Sequence, residues 1–231
     1  MIRLEPAGER AAILYLGSVI SEQSAARVSA AVELLQDSFG SALIDIVPSY
    51  TSILLTYDIN HYNYFSFKHA VDSALSELAE NPISRSPSRV VEVPVYYGEE
   101  VALDLAEVAR STGLSGDEVI RLHSQQHYNV YAIGFAPGFA YLGLTPKELR
   151  VDRKKTPRLK VPCGSVAIAD NQTAIYPSVT PGGWQIIGRT PMSLIDWQSE
   201  SVSPFTVGDA VRFRAVDKET FLAQGGCLDE F

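Results

Sequence analysis

Proline is unevenly distributed in this 231-residue chain, because eight of its 13 prolines fall between Pro137 and Pro204. Proline fixes the backbone φ angle and has no N–H to donate, so no long helix can run through such a stretch. Short strands joined by rigid turns are the remaining option. The distribution therefore predicts a strand-rich C-terminal part, with the glycine and proline turns typical of a barrel or sandwich.

Apolar runs indicate where the strands of this part lie. They predict strands at 128–134, 166–169, 173–176, 184–187, 192–196 and 210–216. Ahead of them, capping-box spacing predicts two short helices, because a polar cap residue is followed three positions later by glutamate. The two pairs are Asp104 with Glu107 and Ser115 with Glu118.

The N-terminal part has a different pattern. Apolar residues indicate a strand at 11–16 and recur at helical spacing over 21–40. Two further strands, 42–47 and 51–57, are rich in branched apolar residues, and a second helix with one apolar face is predicted over 67–78. This order of elements is typical of a compact α+β unit.

A linker separates the two parts. Residues 81–88 contain two prolines and three serines and show no core-forming periodicity. At ~100–200 residues per domain, a chain of this length holds one large domain or two small ones. The linker favours two, so the sequence predicts an α+β chain with a small α/β sandwich at 1–84 and a β-barrel at 85–231.

Charge is also unevenly distributed. The chain carries a formal net charge of −8, which argues against general nucleic-acid binding because that requires a broad basic face. Residues 147–160, the basic segment, nevertheless hold seven basic side chains against two acidic ones. This segment is either a solvated loop or a site for a small anionic ligand, since the local field matters more to such a ligand than the net charge.

Composition bounds the location and the chemistry. Two cysteines are too few for a disulfide scaffold, so the expected compartment is the reducing cytoplasm. No membrane segment is predicted, because the longest uncharged stretch, 128–146, contains two prolines and cannot form one continuous spanning helix. Standard phosphate loops such as G-x-x-x-x-G-K-[ST] are missing from the sequence, and no residue spacing favours a metal site.

Three rigid segments could carry a binding site. They are GFAPGFAYLG at 134–143, TPRLKVPCGSVAIADNQTAIYP at 156–177 and TPGGWQIIGRTP at 180–191. In the third, Gly182 and Gly183 offer backbone N–H groups to an anion, and Arg189 could clamp a carboxylate or a phosphate. Each segment alone is equally well explained as a turn between strands, but three in one domain favour a ligand site.

Together these segments resemble a known family. The patterns H-x4-Y-x-V-x3-GF-x-PGF-x-YLG, TPR-x2-VP-x-GSV-x-IA-x2-QT-x-IYP and PGGW-x2-IGRTP are similar to those of the small subunit of bacterial 5-oxoprolinase. This family is also described as KipI-like or as allophanate hydrolase subunit 1. The resemblance is densest from His123 to Pro191, and it implies an N-terminal α+β domain followed by a cyclophilin-like β-barrel.

The resemblance implies an activity shared with other chains. Members work with a larger homologous subunit and a third subunit to hydrolyse 5-oxo-L-proline to L-glutamate at the expense of ATP. Phosphorylation of the amide oxygen would require positive charge near the transferring group, so we expect ATP at the level of the complex, in a site shared with the larger subunit. The alternatives are a KipI-like inhibitor of a sporulation-type histidine kinase and a subunit acting on an allophanate- or urea-type amide.

The resemblance also implies roles for particular residues. It implies catalytic roles for His123 and Arg189, and substrate or anion binding by Arg153, Arg158, Gln172, Gly182 and Gly183. His123 is equally well explained as a hydrogen-bonded structural histidine. Three positions depart from the family pattern, because Asp152 replaces a proline and Asp170 and Ala174 replace glycines. These departures bear on ligand specificity more than on the fold.

Overall fold

The structure of the protein is a computed structural model that describes residues 2–76, 78, 89–199 and 201–229. The chain forms two compact units, Met1–Pro87 and Ser88–Phe231. The predicted linker at 81–88, and with it the predicted boundary between residues 84 and 85, lies outside the described residues.

The first unit is an antiparallel sheet with two helices. Its elements are β1 (Arg3–Pro6), β2 (Ala11–Tyr15), α1 (Glu22–Phe39), β3 (Leu43–Ser49), β4 (Ser52–Tyr57) and α2 (Tyr64–Ala74). The strand order is β1-β2-β4-β3. The Ser21 side chain accepts a hydrogen bond from the Ser24 amide and so caps α1. Leu14 from the sheet and Leu35 and Phe67 from the helices are fully buried in the core of the unit.

The second unit is strand-rich, as the proline distribution predicts. Its elements are β5 (Val90–Val95), α3 (Leu105–Thr112), α4 (Gly116–Ser124), β6 (His127–Ile133), β7 (Ala140–Gly143), β8 (Arg158–Val161), β9 (Ser165–Ala169), β10 (Gln172–Ile175), β11 (Thr180–Gly182), β12 (Gln185–Arg189), β13 (Ala210–Ala215) and α5 (Lys218–Ala223). The capping box that begins α4 is confirmed, because Ser115 and Glu118 each bond the other's backbone amide.

One predicted strand is wrong. Residues 192–196 form no strand in the structure. Side chains satisfy the backbone there instead, because the Met192 amide donates to the Thr190 hydroxyl and the Ser193 hydroxyl donates to the Ile195 carbonyl. Such local bonds compete with a strand ladder.

The main sheet of the second unit has the strand order β5-β13-β6-β7-β10-β9-β12, and β8 pairs with β11 in a separate ribbon. Its first and last strands meet at one isolated bridge, in which Tyr96 and Arg189 exchange backbone hydrogen bonds of 2.9 and 2.8 Å. The described strands therefore do not form the closed barrel that the sequence predicted. The physical reason is that Asp104 occupies the next backbone groups of β12, because the Ile186 amide donates to its carboxylate and the Ile186 carbonyl accepts from its amide. These groups are therefore not available to continue a ladder past the bridge.

The α+β class is confirmed, whereas the resemblance to cyclophilin stays a prediction. Val130, Val166 and Ile187 are fully buried in the core of the second unit. A smaller cluster around Phe139 lies beneath the glycine- and proline-rich segments. Over the described residues, no helix combines the length and the apolar character needed to cross a bilayer.

Candidate functional site

The three glycine- and proline-rich segments meet at a pocket of about 240 Å³. We term it the aromatic pocket, and it is lined by Phe135, Phe139, Tyr141, Arg153, Pro157, Tyr176, Pro181, Gly182, Gly183 and Trp184. Pairing of β7 with β10 and of β8 with β11 joins the segments across the fold. Of the predicted site residues, three therefore lie together at this pocket: Arg153, Gly182 and Gly183.

Phe139 is the centre of the aromatic wall. Its ring contacts those of Tyr141, Phe135 and Tyr176 edge-on, with centroids 4.9, 5.2 and 5.3 Å apart, and meets Trp184 at 6.2 Å. Edge-to-face contacts of this kind are favourable. Phe139 is buried, whereas Phe135 is 66% exposed at the rim. The wall is thus a packed surface that can take a flat or apolar ligand.

Arg153 supplies positive charge to this pocket. Its guanidinium carbon lies 5.6 Å from the centroid of the Trp184 ring, a cation–π arrangement. Its Nε lies 3.7 Å from the carboxylate of Asp170, and both side chains are more than half exposed. An exposed pair at this distance is weak, so the guanidinium remains able to bind an anionic group.

The glycine pair is explained by packing. A Cβ atom at Gly182 would collide with the hydroxyl of Tyr176, so only glycine allows this tyrosine to pack against β11. Gly182 also pairs with Arg158 in the β8–β11 ribbon. The carbonyl of Gly183 accepts a hydrogen bond of 2.7 Å from the Lys154 amide. Both glycines therefore shape the pocket, and anion binding by their N–H groups stays a prediction.

Arg158 does not line the aromatic pocket, because its side chain is bound to a carboxylate. Its NH1 and NH2 groups donate to the two oxygens of Asp104 at 2.7 and 2.8 Å. The same carboxylate accepts from Lys154 Nζ at 2.8 Å and from the Ile186 amide at 2.8 Å. Asp104 thus joins the start of α3, the basic segment and β12.

Asp104 does not cap α3, so the predicted capping box with Glu107 is wrong. The Asp104 side chain points toward Arg158 and Lys154 instead. A charge-assisted hydrogen bond to these cations is stronger than the interaction of a carboxylate with a helix N-terminus. Burial would raise the pKa of Asp104, but hydrogen bonds from Arg158 and Lys154 outweigh it and hold the pKa below its usual value. The carboxylate is therefore ionised at neutral pH, and it forms ion pairs with two cations of the basic segment.

His123 lies in the core rather than at a pocket. It is fully buried on α4, with Nδ1 2.8 Å from the Tyr97 hydroxyl and Nε2 2.9 Å from the Thr173 hydroxyl. Its ring stacks on Phe213 with centroids 4.4 Å apart. Burial lowers the pKa of His123 to about 3, so the imidazole is neutral. This geometry favours the structural interpretation of His123.

Arg189 and Gln172 also lie outside the aromatic pocket. Arg189 is 3% exposed on β12, and its NH1 donates to the carbonyls of Cys227 and Asp229 at 2.9 and 2.7 Å. It therefore fixes the C-terminal segment to the sheet. Gln172 begins β10, where it pairs with Gly143 and Ala169, and its side chain is half-buried.

Sequence reasoning gave no site role to Asp104, Tyr176 or Trp184. Trp184 and Tyr176 are both part of the family sequence patterns, and these patterns were the sequence evidence that could have identified them as site residues. Asp104 offered no local signal, because its partners lie 50 and 54 residues away. Across the described residues, no three His, Cys, Asp or Glu side chains are placed to hold a metal ion.

The family is decided by comparison with known proteins. The family of the carboxyltransferase domain, subdomain C and D, matches residues 2–205. The 5-oxoprolinase B-subunit of Bacillus subtilis (strain 168) is 38% identical over 232 residues, which cover 96% of this chain and 95% of that protein. The chain belongs to the 5-oxoprolinase B-subunit family. The member from Haemophilus influenzae is 34% identical over 92% of this chain and 97% of that protein.

Two solved structures share this fold. TTHA0988 is 35% identical with a TM-score of 0.78, and the match covers 91% of this chain but 40% of TTHA0988. In that protein the B-subunit fold is thus part of a longer polypeptide. The Kluyveromyces lactis urea carboxylase is 16% identical with a TM-score of 0.70, over 96% of this chain and 22% of that enzyme. This second likeness concerns the fold alone.

Proposed function

We propose that this chain is a non-autonomous subunit of an ATP-dependent 5-oxoprolinase in the cytoplasm. In this complex it forms one wall of a site shared with a larger homologous subunit, and a third subunit completes the assembly. The reaction opens 5-oxo-L-proline with one water and hydrolyses ATP with another, giving L-glutamate, ADP and phosphate. Relatives named as 5-oxoprolinase B-subunits, which match over nearly their whole length, support this proposal.

One observation carries the substrate assignment. Arg153 lies over Trp184 at an aromatic pocket built from all three family segments. 5-Oxoproline is a small, nearly flat ring with one carboxylate. The aromatic wall would pack against the ring, while the guanidinium would bind the carboxylate through paired N–H groups. The pocket thus matches both halves of this substrate.

The pocket also explains why a partner is needed. Among the described residues that line it, none is a carboxylate or a histidine that could serve as a general base. His123 is fully buried and neutral, and Arg189 holds the C-terminal segment. Groups that activate water and transfer phosphate would therefore come from the larger subunit, while this chain positions the substrate.

The test is reconstitution with the two partner subunits, followed by ATP-dependent release of glutamate from 5-oxoproline. Arg153→Ala should lower kcat/KM for 5-oxoproline about tenfold or more, because a charge-assisted hydrogen bond is lost. Arg212→Ala is the matched control, since this exposed arginine lies on β13 outside the aromatic pocket. No turnover by the full complex would overturn the proposal, and turnover of allophanate in its place would favour the urea-type alternative.

A further inference from the structure

A second cavity, of about 630 Å³, lies beside the basic segment in the same unit. We term it the basic pocket, and it is lined by Glu107, Ser111, Arg150, Val151, Asp152, Arg153, Lys154, Lys155, Thr156 and Gln185. Arg153 lines both this cavity and the aromatic pocket. The Arg153 side chain is therefore part of the wall of both cavities.

Part of the positive charge in the basic pocket is already neutralised. Lys154 donates to the carboxylates of Asp104 and Glu107 at 2.8 and 3.1 Å. Arg150 and Lys155 are exposed, and neither forms an ion pair with any carboxylate in the described part of the chain. The pocket thus keeps at least two cations available to a ligand.

The wall that carries these cations is fixed in place. The Lys154 amide donates to the Gly183 carbonyl at 2.7 Å. The buried Gln185 side chain donates to the Asp152 carbonyl at 3.1 Å. Together with the ion pair between Asp104 and the Lys154 side chain, these bonds hold the backbone on which the cations stand. A backbone fixed in this way lowers the ordering cost of binding an anion, compared with a mobile loop.

We propose that the basic pocket binds the phosphate groups of a small ligand, with Arg150, Arg153 and Lys155 as the contacting cations. A phosphate chain presents several negative oxygens, which match the fork of an arginine and the point charge of a lysine. The volume lies in the range of small-molecule sites. A phosphate group bound here would lie next to a ring in the aromatic pocket, because Arg153 borders both.

This inference deepens the proposed function, since it assigns the phosphates of the consumed nucleotide to this chain. Phosphate binding itself needs no partner subunit, so it is measured separately from turnover. A complex that opens 5-oxoproline while this chain binds no phosphate would overturn only the inference. Binding of phosphate by a chain whose complex is inactive on 5-oxoproline would overturn only the proposed function.

The experiment is calorimetric titration of the full chain with inorganic tripolyphosphate, ATP and adenosine at low ionic strength. We expect tripolyphosphate and ATP to bind, adenosine not to bind, and the affinity to fall as salt screens the cations. Arg150→Ala and Lys155→Ala should each weaken tripolyphosphate binding about tenfold. Lys147→Ala is the control, because it removes the same charge from the basic segment outside the pocket lining.

Two results would overturn the inference. One is that tripolyphosphate does not bind to the chain although its thermal unfolding transition shows that it is folded. The other is an equal loss of affinity in Lys147→Ala and Lys155→Ala, because that would indicate diffuse attraction to the basic segment rather than a site. Arg150→Lys keeps the charge but not the fork, so it should lose less affinity than Arg150→Ala, which separates loss of charge from disturbance of the fold.

Discussion

Asp104 and Arg158 form a bidentate ion pair with N–O distances of 2.7 and 2.8 Å, in which the carboxylate is 2% exposed. The aspartate precedes α3 and the arginine begins β8, so the pair joins two parts of the second unit that are distant in sequence. The same carboxylate also binds Lys154, which lines the basic pocket, so Asp104 fixes both β8 and the basic segment to the start of α3. This makes Asp104 a positioning residue rather than a ligand contact.

Asp104→Asn should lower the free energy of unfolding by about 3 kcal/mol, because it leaves the partly buried guanidinium of Arg158 without its counter-charge. Urea unfolding followed by tryptophan fluorescence measures this, since both tryptophans lie in the second unit. Because the pKa of Asp104 is held below its usual value, its stabilising contribution is present above about pH 4 and is lost as the pH falls through that pKa. The deficit of the variant should therefore be constant from pH 5 to 8.

Asp117→Asn is the matched control for this prediction. Asp117 is exposed in the first turn of α4, so its loss removes only an interaction with the helix dipole, worth less than about 1 kcal/mol. Equal destabilisation by the two variants would contradict the role given to Asp104.

Because His123 is buried in its neutral form, we expect the protein to lose stability in mild acid. Burial lowers its folded pKa to about 3, whereas an unfolded histidine titrates near pH 6.5. Between these values only the unfolded chain takes up the proton, so stability falls as the pH drops from about 6.5 toward 3. From pH 7 to pH 5 the loss from this group is about 2 kcal/mol.

His123→Gln should remove this pH dependence while lowering stability at pH 7, as urea unfolding at the two pH values would show. His127→Gln is the control, because His127 is exposed at the start of β6. A wild-type stability that does not change between pH 7 and pH 5 would contradict the buried neutral state. A catalytic role for His123 would instead be supported if the pH profile of turnover showed a group with a pKa near 6.5 in the wild type and no such group in His123→Gln.

Phe135 combines exposure with backbone strain. Its φ angle is 73°, a conformation that costs roughly 1–2 kcal/mol for a residue with a Cβ. Strain of this kind is often kept at functional sites, and Phe135 is on the rim of the aromatic pocket. Phe135→Gly should therefore be about 1 kcal/mol more stable than Phe135→Ala, because glycine relieves the strain and alanine does not.

Both Phe135 variants should raise KM for 5-oxoproline in the reconstituted complex, since each removes the aromatic rim. Thermal unfolding and steady-state kinetics measure the two effects separately. Leu159→Ala serves as control, because Leu159 is 87% exposed and does not line the pocket. Unchanged KM in both variants would show that the rim does not contact the substrate.

The strands and helices that depend on local pattern were predictable. The helix after Ser21 and the capping box at Ser115 follow from residues within one or two turns. The absence of a strand at 192–196 was not predictable. There the Thr190 hydroxyl accepts from the Met192 amide and the Ser193 hydroxyl donates to the Ile195 carbonyl, so side chains take the place of a neighbouring strand. Such competition is not encoded in hydrophobic periodicity.

The site was predictable only in part. The three rigid segments identified the region of the aromatic pocket, and the basic segment identified its cation. The partner of Arg158 and the burial of His123 depend on contacts between distant residues, which a single sequence does not specify. Asp104 shows this most clearly, because its spacing from Glu107 suggested a helix cap while its carboxylate binds Arg158 on β8.

Asp170 stands where the family resemblance leads us to expect glycine, and its φ angle of 54° explains that preference. Aspartate tolerates this conformation better than most residues. Its carboxylate lies 3.7 Å from Nε of Arg153 and so competes for the cation of the aromatic pocket. Asp170→Gly should therefore lower KM for 5-oxoproline about two- to threefold, since an exposed ion pair is worth up to about 1 kcal/mol.

Asp170→Asn separates charge from backbone effects in this last prediction. Asparagine also tolerates the left-handed conformation but carries no charge, so it should lower KM as much as glycine does. The gain should shrink as added salt screens the ion pair of the wild-type chain. A lower KM in the glycine variant alone would assign the effect to the turn rather than to Arg153, because only the backbone distinguishes the two substitutions.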